Sequence, residues 1–349
     1  MRPNTYKAAI YKGTKNIEII EKTLPEVCGD HDVIVKNRIA TICGADYNAY
    51  RGSGDAVQIW KDHEFGHEMV SEVIEMGKNV TGIEIGDWIF PNLGYAYHDR
   101  SRMATVGGFS EYLYLPDFRL EGDFGGFDQP SAIKLDKSLG LKNLCLLEPF
   151  AVGCKAAKSL VGRGTTAVVI GSGIIGMSTA LTLKHFGFEK IMLIDFSEFR
   201  LENARSYGLL TCNPQKENLQ EKLFRTFGSA RAYGGEKCGA QCWVDCIGIQ
   251  PCVDYYTQYG GYGTTFCIVG VHHKPAQFDA AIICYNQQWI RGCGVGTYKD
   301  AFDDICEMVR QGTDISGLIS QEFPLEKIEE ALVTHGNFEI AQKVAIVYP

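Results

Sequence analysis

Thr166-Ala167-Val168-Val169-Ile170-Gly171-Ser172-Gly173-Ile174-Ile175-Gly176 is the stretch that decides the fold. Its opening half is a largely apolar, β-branched run, the pattern of a strand buried on both faces of a parallel sheet. A helical stretch follows from Ile174 to Phe186 and stops at Gly187. Lys190 to Asp195 then reads as a second buried strand. In such a strand–turn–helix, Gly171 permits the tight turn, Gly173 lets backbone approach a pyrophosphate, and Gly176 lets helix pack on sheet. Ile174 and Ile175 open the helix, whose free N–H groups and positive dipole end suit phosphates. Asp195 ends the second strand, where a carboxylate accepts from ribose hydroxyls and repels a 2′-phosphate. Arg200 follows five positions later. The expectation is a dinucleotide site that prefers NAD(H) to NADP(H), lined by these glycines, both isoleucines, Asp195 and Arg200.

Working outward toward the C-terminus, Glu198 to Tyr207 reads as a helix. Trp243 to Ile247, Thr264 to Gly270 and Trp289 to Val295 read as further apolar strands. This alternation predicts a doubly wound parallel sheet. The tail carries helical stretches at Ala301–Gln311 and Leu325–His335 and a last strand, Lys343–Val347. Toward the N-terminus the pattern changes. Asp32–Ile42, Met69–Ile74, Trp88–Phe90 and Phe109–Leu115 are short strands punctuated by Gly, Pro and Asp, as in a barrel or sandwich.

The chain has 349 residues, enough for two ordinary domains, with 45% hydrophobic and 22% charged residues. A net charge of −8 argues against a general nucleic-acid binder. No apolar run approaches the ~18 residues that cross a bilayer, so no membrane partner is expected. The first residues lack the apolar stretch of a secretory signal, and a cytoplasmic location is the expectation. The 13 cysteines show no regular spacing and read as reduced thiols.

Cys43, the pair His67-Glu68, and Glu148 in Leu146-Leu147-Glu148-Pro149 form a mixed donor set spread over about a hundred residues. Structural zinc sites close up with thiolates at short spacing. A Cys/His/Glu set suits a catalytic zinc that keeps one position open. Metal together with dinucleotide means hydride chemistry at an alcohol carbon.

These strings resemble the zinc-dependent medium-chain dehydrogenase/reductase family, in particular its polyol (sorbitol) and threonine dehydrogenase branch. The matching segments are ICGADYNAYRG, GHEMVSEVIEMGKNV, GDWIF, LLEPFAV, VVIGSGIIGM and LIDFSEFRLENA, followed in family order by VDCIG, CIVGVHH and GCGVGTY. The resemblance implies an α/β protein: a GroES-like β-barrel catalytic domain interrupted by a Rossmann domain. The implied limits are 1–152 for the first catalytic part, 153–292 for the Rossmann domain and 293–349 for the return. It implies Cys43, His67 and Glu148 as ligands, with Glu68 a ligand or close neighbour, and Asp46 hydrogen-bonded to His67. It also implies that Gly270, Val271, Val295 and Gly296 line the nicotinamide. A glutamate at position 148, where other family members carry cysteine, suits oxygen-rich substrates.

Two departures stand out. No cysteine lies between Cys43 and Cys145, so the family's four-cysteine structural zinc has no donors there and Tyr95–Val106 must be held by packing. Ala45 and Asn48 stand where the family often has a hydroxyl and a histidine for proton relay, leaving water, Glu68, Tyr47 or a ribose hydroxyl for that role. The expected function is NAD(H)- and zinc-dependent interconversion of a secondary alcohol and its ketone. The substrate would be a polyol, sugar alcohol or sugar phosphate, or else a hydroxysteroid or an amino alcohol such as threonine. A metal-free double-bond reductase and a non-catalytic scaffold are the competing classes. The resemblance implies a homodimer or homotetramer, with the strand Trp289 to Val295 where such relatives pair edge to edge.

Overall fold

A computed structural model describes residues 3–26, 28–53, 58–121, 129–293 and 298–349. The N-terminal strands are β1 (Thr5–Gly13), β2 (Asn16–Thr23), β3 (Val33–Thr41), β4 (His63–Glu64), β5 (Glu68–Met76), β6 (Trp88–Pro91), β7 (Tyr112–Leu115) and β8 (Ala132–Leu135). Helix α1 (Gly44–Asn48) follows β3, and α2 (Leu141–Cys145) and α3 (Leu147–Leu160) follow β8. The central segment alternates: β9 (Thr166–Ile170), α4 (Ile174–His185), β10 (Lys190–Ile194), α5 (Glu198–Ser206), β11 (Leu210–Cys212) and α6 (Leu219–Phe227). After the hairpin β12 (Ser229–Ala232) and β13 (Gly235–Cys238) come β14 (Cys242–Asp245), α7 (Gln250–Tyr259), β15 (Thr265–Ile268), α8 (Ala280–Tyr285) and β16 (Trp289–Gly292). The tail holds α9 (Lys299–Arg310), β17 (Ile319–Pro324), α10 (Ile328–His335) and β18 (Lys343–Val347). Among the described residues no helix is long and apolar enough to cross a membrane.

The chain divides into two compact units. The first comprises the residues up to Leu147 together with Asp314–Asn337 and Ala341–Pro349. Its main sheet runs β17-β18-β3-β5-β6-β8, with β7 also paired to β3, beside a three-stranded sheet β2-β1-β4. β3 is nearly buried throughout because Val33, Ile34, Val35, Ile39 and Ala40 give it two apolar faces. β18 lies antiparallel to it, with Ala345 opposite Thr41.

At the junction of β3, β5 and β18 the core is not apolar. Lys343 Nζ lies 2.6 Å from Glu68 Oε2, and each side chain is only 1% exposed. Thr41, opposite Glu68 in the ladder, donates its hydroxyl to the same oxygen at 2.5 Å. The pair survives burial because each charge has its counter-charge and the carboxylate accepts a further hydrogen bond from Thr41.

The second unit spans Glu148–Thr313 and takes in Phe338–Ile340. Its six strands run β11-β10-β9-β14-β15-β16, all parallel. Numbered from the first of them, that is the order 3-2-1-4-5-6 of a doubly wound dinucleotide sheet. One face is sealed by Trp243, Tyr256 and Phe266, the last two stacked with centroids 4.5 Å apart.

β9 and β18 have the limits read from the sequence, and α4 ends one residue earlier, at His185. Other limits move by one to three residues, and three of these shifts have a visible cause. The strand expected at 109–115 begins only at Tyr112, because Gly108 and Phe109 donate instead to Gly66 and Phe65. The one expected at 264–270 ends at Ile268, because the N–H groups of Val269 and Gly270 both turn to the Asp245 carbonyl. The helix expected from Leu325 opens with a 3-10 turn, and α10 proper starts at Ile328. The domain limits shift as well. The first catalytic part ends at Leu147 rather than 152, and the return begins at Asp314 rather than 293. Helix α9 stays with the parallel sheet's unit and buries its apolar stripe of Ala301, Phe302, Ile305 and Met308.

Lys343→Met leaves the Glu68 carboxylate buried without its cation, and should cost about 3–5 kcal/mol of stability. Guanidinium unfolding checks this; the double variant Glu68→Leu/Lys343→Met, with no charge left to strand, should recover a large part of the loss.

Candidate metal centre and nucleotide cradle

Cys43 lies just past the end of β3, and His67 just before the start of β5. Because Thr41 pairs with Glu68 in that antiparallel ladder, the two flanking residues arrive on the same side of the sheet end. Gly66 makes the approach possible with φ +88°, and a Cβ there would stand 2.8 Å from the Phe109 ring. Cys43 caps α1: its N–H donates to Asp46 Oδ2 at 2.8 Å. Donor atoms of Cys43, His67 and Glu68 all lie within 4.8 Å of one another, the one such cluster among the described residues. His67 and Glu68 are buried and Cys43 is half-buried.

The electrostatics are those of a crowded acidic pocket. Burial pushes the Cys43 thiol above its ordinary range and the Glu68 carboxylate adds to this, while His67 and Lys343 oppose it. Burial pushes the fully buried Asp46 carboxyl up to about 6, against the pull of His67 and the Cys43 N–H. A divalent cation among these donors reverses that logic, since a coordinating thiol gives up its proton. The set of one soft thiolate, one imidazole and one carboxylate therefore fits zinc.

Other expected residues are placed less simply. Asp46 Oδ1 stands 3.7 Å from His67 Nδ1, beyond hydrogen-bond range, so the expected hydrogen bond is here a close charge contact. Its second oxygen is taken by the helix cap. Glu68 is neutralised by Lys343, which makes it a charge-balanced neighbour rather than a full anionic donor. Glu148 is not part of the cluster: it lies in the first turn of α3, in the second unit, where Tyr298 donates its hydroxyl to Oε1 at 3.0 Å. Lys343, Thr41 and Tyr298 went unnoticed in the sequence. A lysine opening an otherwise apolar terminal strand was the signal available for the first.

The segment Tyr95–Val106 is tied down by side chains. Tyr97 donates to the Val106 carbonyl at 2.9 Å, and the Arg102 guanidinium sits 3.9 Å over the Tyr97 ring. The Trp60 indole N–H reaches the Ser101 carbonyl at 3.1 Å.

In the second unit Gly171 leaves β9 with φ +98°, and a Cβ there would meet Ile247 at 2.7 Å. A Cβ on Gly176 would fall 1.8 Å from the Gly171 carbonyl oxygen, so α4 rests directly on the turn. Gly173 caps α4 without any side-chain hydrogen bond, and the N–H groups of the first turn, from Ile174 and Ile175 on, are left for a ligand. Asp195 Oδ2 accepts from the Ser172 N–H at 2.6 Å and its hydroxyl at 2.8 Å, and Oδ1 accepts from the Ser197 N–H at 2.9 Å. Arg200 Nη1 would stand 3.4 Å from a Cβ at Gly173, so the guanidinium roofs that glycine. The backbones of Gly248 and Gly270 abut, a Cβ on Gly270 falling 2.2 Å from the Gly248 nitrogen. Val271 is exposed beside them, and a cavity of about 570 Å³ lined by Gly248, Ile249, His272 and Lys274 opens at these strand ends. Val295 and Gly296 lie outside the described residues. The bare turn, the open helix end and the carboxylate at the second strand fit a dinucleotide.

Comparison with known proteins agrees with this geometry. Residues 29–120 match the alcohol dehydrogenase GroES-like domain and residues 175–311 match the zinc-binding dehydrogenase domain. The chain is 24% identical over 352 aligned residues to sorbitol dehydrogenase 2 of Saccharomyces cerevisiae, covering 97% of each. It is 23% identical to L-threonine 3-dehydrogenase of Yersinia pestis, covering 91% of this chain and 93% of the relative. The crystal structure of 2R,3R-butanediol dehydrogenase from Bacillus subtilis superposes with a TM-score of 0.80 at 22% identity, covering 99% of this chain and 100% of that one. The chain belongs to the zinc-dependent medium-chain dehydrogenase family, with a GroES-like domain and a Rossmann-type dinucleotide domain.

Proposed function

We propose that the protein is a zinc-dependent NAD(H) oxidoreductase that interconverts a secondary alcohol, of the polyol, sugar-alcohol or sugar-phosphate class, and its ketone. The observation that carries this reading is the buried meeting of Cys43, His67 and Glu68. When bound, zinc would supply Lewis acidity toward an alcohol oxygen and a nicotinamide cofactor would supply hydride-acceptor chemistry. The chain's own residues do the rest. Cys43 and His67 hold the cation, Asp46 lies against His67, and Lys343 keeps Glu68 from overloading the site with negative charge. The resemblance in sequence alone supports Glu148 as a further ligand. The turn at Gly171–Gly176 grips the pyrophosphate, and Asp195 receives the ribose hydroxyls, which favours NAD over NADP. Gly270 and Val271 supply backbone beside the nicotinamide end.

An amino alcohol such as threonine is the second reading within the class, favoured by the likeness to L-threonine 3-dehydrogenase. A screen of NAD reduction across polyols, sugar phosphates, amino alcohols and hydroxysteroids separates them. A cytoplasmic location belongs to the same reading. So does a homo-oligomer: β16 is an edge strand with every residue exposed, including Trp289 and Ile290, the arrangement of a strand that pairs with a second copy.

Three outcomes check the proposal. Elemental analysis should find about one zinc per chain, and next to none in Cys43→Ser, whose NAD reduction should fall roughly a hundredfold or more; a metal-free Cys43→Ser protein of full activity overturns it. Dialysis against a chelator should abolish turnover, and added zinc should restore it. Trp289→Asp should shift sedimentation toward the monomer, because a charge placed on the edge strand opposes pairing.

A further inference from the structure

The tail does not merely return to the first unit. Phe338–Ile340 crosses back to the dinucleotide unit as a short strap, closed at its base by the Ala341 N–H donating to the Asn337 carbonyl at 3.0 Å. Its anchor is Ser197, the residue that caps α5. The Ser197 hydroxyl donates to the Phe338 carbonyl at 2.7 Å and accepts from the Arg200 N–H at 3.2 Å. One hydroxyl thus fixes both the strap and the first turn of α5, which carries Arg200. The next strap residue, Glu339, is exposed.

The Ser197 anchor brings the strap to the turn that carries Arg200, and two carboxylates act on its guanidinium electrostatically. Asp195 comes from the end of β10 and Glu339 from the strap. Burial pulls the guanidinium below its usual range, while these two groups act in the opposite direction and hold its charge. The trio carries a net charge of about −1. This matters because an arginine beside the ribose is ordinarily the group that welcomes a 2′-phosphate. Here the guanidinium's charge is more than cancelled, and a 2′-phosphate would bring a further charge of about −1.5 to −2. Asp195 alone would only balance Arg200. The excess negative charge comes from the strap.

We propose that Glu339 is a cofactor-specificity residue: by neutralising Arg200 from the C-terminal strap it excludes the 2′-phosphate of NADP(H). The inference rests on the NAD reading above and adds to it a residue far from the glycine turn in sequence. Because NAD and NADP share the pyrophosphate, any effect of Glu339 on that group cancels in the ratio of their affinities.

Calorimetric titration with ADP-ribose and with its 2′-phosphorylated form tests the idea without any hydride transfer. The wild type should prefer ADP-ribose by at least tenfold. In Glu339→Gln the preference should shrink by roughly a factor of ten, through tighter binding of the phosphorylated ligand, and further in Glu339→Lys. The wild-type preference should also weaken as salt is raised. Glu221→Gln, an equal loss of charge on α6, should leave the ratio unchanged. A wild type that binds neither ligand overturns the dinucleotide reading and this proposal with it. A wild-type preference left within twofold in Glu339→Gln overturns this proposal alone.

Discussion

A single buried ion pair shapes the catalytic unit. Glu68 is next in sequence to His67 and within 4.8 Å of the donors that suit a metal. A second uncompensated anion in that volume would raise the thiol and carboxyl proton affinities further and leave charge stranded whenever the cation was absent. Lys343 removes the problem at 2.6 Å, from a strand that sits across β3 from β5. The carboxylate beside the donors thus keeps its counter-charge even without a cation. The cost is that three strands must stay in register, because Thr41, Glu68 and Lys343 have no water to fall back on.

The nucleotide unit depends on a different constraint, one of backbone space. Gly171, Gly173 and Gly176 are not interchangeable loosening points. Gly176 lets α4 rest on the turn, Gly171 faces Ile247 just past β14, and Gly173 lies under Arg200. The carboxylate of Asp195 then laces the turn to the end of β10 through Ser172. The close approaches at these glycines leave no room for side chains in the cradle, and the helix N–H groups supply its polarity toward a ligand.

Much of this was legible in the chain. β9 is a strand because a β-branched apolar run can be buried on both faces, and α4 ends two residues before Gly187, which accepts φ +86°. Cys43, His67 and Glu68 could be grouped by donor chemistry alone. What was not legible depended on partners distant in sequence. Phe109 has strand character but spends its N–H on Phe65. Asp46 serves the helix cap first and His67 second. The limits of the units were misjudged by about twenty residues at the return, because the amphipathic α9 suits either unit by composition. Lys343 and Glu339 carry no signal of a partner in the sequence; only the folded chain shows that one is buried against Glu68 and that the other lies on a strap anchored to the turn carrying Arg200.

The interleaved order of the two units has a consequence for how the protein is made. During synthesis the parallel sheet's segment, Glu148–Thr313, leaves the ribosome before β17 and β18 exist. It can therefore fold while the N-terminal strands still lack their lysine. A ribosome-bound chain stopped short of residue 343 already carries Cys43, His67 and Glu68, yet the acid beside them has no counter-charge. Charge compensation and burial of that corner thus wait for β18, a strand made long after the donors it serves.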